Sequence, residues 1–209
     1  ASVALGLDGR TFACESHGAV APSRLVYAWT ESVLRAGRCR LADVGCLAFG
    51  AGPGSFTGVR VAAGVAQALA YALQLPVWRV STLAALAAAA MRQAGVARAV
   101  VALDARMGGI YVGDYGRDAG GRLRALAPDR IAGVGDVLEI PAAGVVAAGP
   151  GFAACPGLLG RRMGSLPLLP ALLPSAADVL DLVRTEPAVC AGVDVAEALP
   201  NYLRERVTR

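Results

Sequence analysis

Lysine is absent from the 209 residues, histidine occurs once (His17) and asparagine once (Asn201). Each scarcity closes a class of chemistry. A P-loop needs Gly, four residues and then Gly-Lys-Ser/Thr, so the lack of lysine excludes it. A histidine-based metal site or a Ser-His-Asp triad needs more than His17, which reads as a surface residue in the loop after a hairpin. Acid is also scarce, with no Asp or Glu between Asp43 and Asp104. The five cysteines (Cys14, Cys39, Cys46, Cys155, Cys190) form an odd set without Cys-x-x-Cys spacing. Cys14, Cys46 and Cys190 lie in apolar runs and read as small buried hydrophobes in a reducing compartment. No segment offers ~18 uninterrupted apolar residues of membrane-spanning character. Ala1 to Asp8 has no basic region before its apolar residues, so it reads as a strand and not as a secretion signal. The expectation is a soluble, cytoplasmic protein without cofactor or bound metal. A net charge of +4 permits contact with nucleic acid without requiring it. The cluster Arg204, Arg206 and Arg209 reads as a solvated tail.

What the chain does have is Cys46-Leu-Ala-Phe-Gly-Ala-Gly-Pro-Gly-Ser-Phe-Thr-Gly-Val-Arg60. This predicts a buried strand from Val44 to Phe49, a glycine-rich loop, and a helix opening at Ser55 or Thr57 and running to about Leu73. Ser and Thr suit such openings because their oxygens accept from the orphan N–H groups of the first turn. A loop of this kind is able to cradle an anion on backbone amides. The dinucleotide fingerprint is imperfect, because Thr57 stands where the third glycine belongs and no acid follows about 20 positions on. Arg79 keeps an NADP reading open. Around Ser55, Pro53 and Thr57 hold the outer places of a Gly-x-Ser-x-Gly elbow, so Ser55 reads as a helix cap.

The helix itself carries more information. Val61, Val65, Leu69 and Leu73 recur every four residues and predict a stripe facing the parent sheet. The other side holds Arg60, Ala63, Gly64, Gln67 and Tyr71, mostly small where a solvated helix would show several charges. A second layer of the same protein and a partner subunit fit that face equally.

Read for organisation, the chain is duplicated. The first half predicts strands Ser2 to Leu7 and Arg10 to Glu15, a helix from Ser23 to Ala36, the glycine loop and its helix, strand Pro76 to Val80, and helix Thr82 to Gln93. The second predicts strands Ala99 to Asp104, Ile110 to Tyr115 and Arg122 to Ala127, a short helix around Asp136 to Ile140, and strand Val145 to Ala148. Ala51-Gly-Pro-Gly54 and Ala148-Gly-Pro-Gly151 end equivalent strands. The expected class is therefore α/β, two lobes of one β-β-β-α-β-α unit. An N-terminal lobe of 1–97 carries the glycine loop, and a C-terminal lobe of 98–209 has its last segment packing back on the first. The second half begins with three strands and the first with two, so the first lobe is expected to lack its first strand, which would precede Ala1.

Phe49-Gly-Ala-Gly-Pro-Gly-Ser-Phe-Thr-Gly-Val-Arg60 resembles the signature of the TsaB (YeaZ) family, needed for tRNA threonylcarbamoyladenosine synthesis. Val80-Ser-Thr-Leu83, Ala102-Leu-Asp-Ala-Arg-Met-Gly108 with Tyr111, and Pro200-Asn-Tyr-Leu-Arg204 are similar to further family motifs in the same order. The chain departs from the family at Pro22, where members often have His, and at Gly109, where they often have Glu. The resemblance implies the two-lobed fold of actin-like ATPases and related RNase H-like proteins, with an opening strand ending in Asp-Thr. It also implies a non-catalytic subunit. TsaD, a paralogous metalloprotein, transfers the threonylcarbamoyl group to the adenosine beside the anticodon. The TsaB-like chain pairs with TsaD, the ATPase TsaE docks on the pair, and tRNA is engaged indirectly. With one histidine, this chain does not carry the His-x-x-x-His metal ligands of TsaD, and a peptidase role fails by the same argument.

In the family, the first two long helices pack on those of TsaD as a four-helix bundle, and the same surface supports a homodimer. Carried over, the partner-binding residues are Arg60, Ala63, Gly64, Gln67 and Tyr71, with Tyr27 and Trp29 from the first helix. Trp29 fits an anchor and a core position equally, lying on the Leu25, Trp29, Val33 stripe. Two alternatives stay open at this level, an autonomous nucleotide-binding kinase of the actin-like fold and an NADP-binding protein. The first would place Asp104 and Arg106 against a phosphate, although a strand-end Asp is also a common turn former.

Overall fold

The computed structural model describes the whole chain except residues 17–21, 107, 134–135, 142, 163–164, 187–189 and 204–209. The expectations for His17 and for the arginine tail lie outside the described residues. Strands β1 (Ser2–Leu7) and β2 (Arg10–Glu15) form an antiparallel hairpin in which Ser2 faces Glu15 and Leu7 faces Arg10. The turn residues Asp8 and Gly9 both have positive φ, which the favoured two-residue hairpin turn demands. Helix α1 (Pro22–Gly37) packs on both strands.

The glycine loop follows β3 (Leu47–Gly52) and leads into α2 (Phe56–Leu73), which starts directly after Ser55. β3 begins three residues later than expected and runs on into the loop's first glycine. After α2 come β4 (Val77–Ser81) and α3 (Thr82–Ala94). Strands β5 (Arg98–Asp104), β6 (Ile110–Arg117) and β7 (Leu123–Ala132) form an antiparallel meander. Next come β8 (Val145–Ala148), the short α4 (Gly151–Ala154), β9 (Leu168–Leu169), α5 (Ala176–Thr185) and β10 (Cys190–Val193).

The elements divide into two units, and the boundary is not at 97/98. One unit holds Ala1–Ala51, Phe56–Ser81 and Ser175–Pro200; the other holds Gly52–Ser55, Thr82–Pro174 and Asn201–Arg209. The reason is burial. Residues Leu83 to Met91 of α3 are all buried, and the helix lies on β5, β6, β7 and β8. An alanine-rich helix of this kind fills the second unit's core. Ser175–Pro200, in contrast, supplies α5 and β10 to the first unit. Ser175 caps α5 by accepting from the Asp178 N–H while the Asp178 carboxylate accepts from the Ser175 N–H. At its other end Arg184 donates to Thr11 Oγ1 and to the Arg10 carbonyl, each at 3.1 Å.

In the first unit β1 and β2 form one sheet and β10, β4 and β3 another, in that order, with β10 antiparallel to β4. The second unit has one five-stranded sheet ordered β7-β6-β5-β8-β9, with β5 antiparallel to β6 and parallel to β8. Residues 136–140 are irregular and not the expected short helix. The Leu138 N–H donates to the Leu158 carbonyl at 2.9 Å and Ile140 is buried, so this backbone is committed across to the turn at Pro156–Arg162. Pro141 follows directly.

Helix α2 is rotated from the expected orientation. Ala63, Ala66 and Ala70 are buried with Phe49, Ala51, Val77 and Ala198, whereas Val61, Val65 and Leu69 lie half-buried on its flanks. Methyl groups let the helix backbone approach the strands more closely than valines would. By length and composition α2 is long and apolar enough to cross a membrane, with mean hydropathy 1.3. Its alanine face belongs to this core.

Candidate functional site

The two Ala-Gly-Pro-Gly loops share a backbone feature. Gly52 and Gly149, their equivalent glycines, have φ of +99° and +105°, where side chains are rarely accommodated. Gly52 donates its N–H to Thr82 Oγ1 at 3.0 Å. At Gly149 a Cβ would lie 2.2 Å from the Ala102 carbonyl oxygen. Gly149 thus serves close packing of its loop, while Gly52 is tied to Thr82 through its N–H.

Asp104 ends β5, and its Oδ1 accepts from the Arg106 N–H at 2.7 Å while Oδ2 lies 3.6 Å from the Arg106 guanidinium. Arg106 has φ +61°, and the turn closes through Gly109, which accepts from the Ala105 N–H. Asp104 therefore organises a turn around its own neighbour. A cleft of about 370 Å³ in the same unit is lined by Pro53, Tyr115, Asp129 and Tyr202, and the Tyr115 hydroxyl donates to Asp129 at 2.7 Å. Among the described residues no group of three or more His, Cys, Asp or Glu side chains is placed to hold a metal ion.

The outward side of α1 and α2, which pack on one another, is different in kind. Tyr71 is 81% exposed, Tyr27 67% and Phe56 57%. The Arg60 guanidinium lies 3.6 Å from the centroid of the Phe56 ring, a cation–π stack on the first turn of α2. Gly64 is exposed between Arg60 and Tyr71, and a Cβ added there meets nothing within 4 Å. Of the expected partner-binding residues, Arg60, Gly64, Tyr71 and Tyr27 are exposed. Ala63 is not, because it is 3% exposed in the core, a correction that follows from the helix rotation. Gln67 is half-buried and donates to the Val195 carbonyl at 3.3 Å, and Trp29 is half-buried on α1. Phe56 was not among the residues expected; its four-residue spacing from Arg60 was the available signal. Exposed aromatics beside a flat small-residue strip, with no acidic side chain on α2, form a surface suited to close helix packing.

A family model described as TsaD: tRNA N6-adenosine threonylcarbamoyltransferase matches residues 22–155. The chain is 36% identical to the tRNA threonylcarbamoyladenosine biosynthesis protein TsaB of Escherichia coli, covering 99% of this chain and 90% of that protein. It is 34% identical to the protein of the same description in Haemophilus influenzae, over 80% of this chain and 73% of the relative. The solved structure of YeaZ from Pseudomonas aeruginosa superposes with a TM-score of 0.86 at 36% identity, covering 97% of this chain and 93% of that one. That likeness extends to the mixed sheets and their helices, the two-lobed actin-like class.

Proposed function

This chain belongs to the TsaB (YeaZ) family of tRNA threonylcarbamoyladenosine biosynthesis proteins, and from that premise we propose that it is a non-catalytic subunit of the pathway, acting in the cytoplasm. In this reading it binds the catalytic transferase, TsaD, through the outward face of α1 and α2, and TsaE docks on the pair. What supports it is that Tyr27 on α1 and Phe56, Arg60, Gly64 and Tyr71 on α2 are all exposed on two helices that pack on one another, with no acid on α2. Aromatic and arginine side chains are the usual anchors of such interfaces. Gly64 lets a partner helix approach closely, as the space above it allows.

The test is Gly64→Arg, measured by calorimetry against the TsaD of the same source. The variant is expected to keep its fold, because a Cβ added at this exposed position meets nothing within 4 Å; circular dichroism checks it. At a helix–helix contact it costs ~1–3 kcal/mol by overpacking and more for an unpaired buried charge. A combined loss of about 4 kcal/mol weakens pairing roughly a thousandfold. Unchanged affinity would move the interface elsewhere.

A further inference from the structure

We infer that the end of the second unit's sheet at the β6–β7 turn is a phosphate-contacting surface, on which Arg98, Arg122 and Arg124 meet the backbone of RNA. Register places the arginines together. Arg98 on β5 faces Gly116 on β6, and Gly116 faces Arg124 on β7. Residues paired across neighbouring strands point to the same side of a sheet, so both arginines stand on one face with a glycine between them. A Cβ at Gly116 would meet the Leu126 methyl groups at 3.1 and 3.4 Å, so Leu126 covers that gap.

Two carboxylates hold the side chains in place. Arg98 donates to Asp114 through Nε at 3.0 Å and through Nη2 at 2.6 Å. Arg122 and Arg124 each donate to Asp118 through Nε, at 3.2 and 3.3 Å. Asp118 is itself fixed by the N–H groups of Gly120 and Arg122, at 2.9 and 3.0 Å. Arg122 and Arg124 thus use Nε alone, and among the described residues their Nη groups donate to nothing. Their side chains are 65% and 41% exposed. A guanidinium fixed along one edge presents the donors of its other edge to an anion, the geometry that suits phosphate. Glu139 shares a cleft with Arg98, so the excess of positive charge lies at the turn, where residues 117–124 carry three arginines against one aspartate.

The spacing favours a chain of phosphates over a single one. Arg98 is tied to Asp114 and Arg124 to Asp118, and their strands lie two spacings apart, about 10 Å. The choice of RNA among polyanions rests on the pathway proposed above, in which tRNA is modified, and the phosphate chemistry does not. Contact with tRNA is then direct, where the family resemblance implies an indirect one.

Fluorescence anisotropy of a labelled tRNA transcript with the full chain alone is the test, so the result does not depend on pairing with TsaD. Binding is expected at low salt, weakening linearly in log K against log salt. Arg122→Gln with Arg124→Gln lowers affinity by about tenfold or more and reduces that slope by about 2. Arg24→Gln with Arg35→Gln, which removes two exposed charges from α1, changes affinity less than about threefold. In the unmodified chain tRNA slows hydrogen exchange at residues 117–124, a readout that stands even if the first double variant misfolds. Absence of binding, equal losses in the two double variants, a first double variant that binds like the parent, or protection confined to other segments overturns the proposal. So does displacement of tRNA by poly-glutamate at equal charge or by inorganic phosphate at constant ionic strength, because the surface then takes an acidic protein or a free phosphate.

Discussion

Cys190 on β10 is 8% exposed, and burial, with the nearby Glu186 carboxylate adding to it, pushes its thiol up to about 11. The neutral form is thus favoured by folding. Its contribution to stability is complete below the ordinary thiol value near 9 and is lost as pH rises through about 11. The stability of the chain should therefore fall more steeply between pH 9 and 11 than that of Cys190→Ala, followed by urea unfolding at each pH. Alkylation at pH 8 checks the same environment: peptide mass spectrometry should find exposed Cys46 modified long before Cys190. Equal rates would place Cys190 in solvent. Gly149 sets a different constraint. At φ +105°, with the Ala102 carbonyl 2.2 Å from where a Cβ would stand, Gly149→Ala should cost ~2–5 kcal/mol by strain and overlap together. A Tm within a degree of the parent would show that the loop relaxes freely.

At the scale of elements, the strands and long helices were legible because their periods and punctuation agree. Asp8-Gly9 marks the first hairpin, Gly37 and Gly95 close helices, and the apolar runs of β5 and β8 stand out. Two features were not legible, for physical reasons. Residues 136–140 have a helical pattern, but tertiary hydrogen bonding from Leu138 to Leu158 overrides it. On α2, hydrophobicity favours the valine stripe, but close packing on a sheet favours alanine, and Ala63, Ala66 and Ala70 hold the core. Composition points to an outward face on α2 without fixing the helix's rotation, which is why Ala63 reads as outward although it is buried and Phe56, which is exposed, goes unnoticed. This rotation is itself testable. Ala70→Asp, at a fully buried position, should unfold the first unit, because an unpaired buried carboxylate costs several kcal/mol. Ala68→Asp, at an exposed position of the same helix, should leave circular dichroism and Tm almost unchanged. The reverse result would restore the valine stripe to the sheet.

At the scale of the molecule, one face has two proposed occupants, the transferase and a second copy of this chain. A two-fold dimer uses the same patch on both subunits, so the α1–α2 face of one copy would meet that of the other. The two assemblies are then mutually exclusive on each chain. Adding TsaD should convert any homodimer into a 1:1 pair, with the apparent affinity falling as the concentration of this chain rises, since homodimer dissociation precedes pairing. Sedimentation velocity across a titration should show homodimer disappearing as heterodimer forms, with no species of two copies and one transferase joined through this face. Gly64→Arg should remove both assemblies together, and Tyr71→Ala should weaken both, by tenfold or more if Tyr71 is an anchor, since each ~1.4 kcal/mol is a factor of ten. A variant that abolished the homodimer while leaving the heterodimer intact would separate the two surfaces. The exposed aromatics of α1 and α2 would then belong to self-association alone.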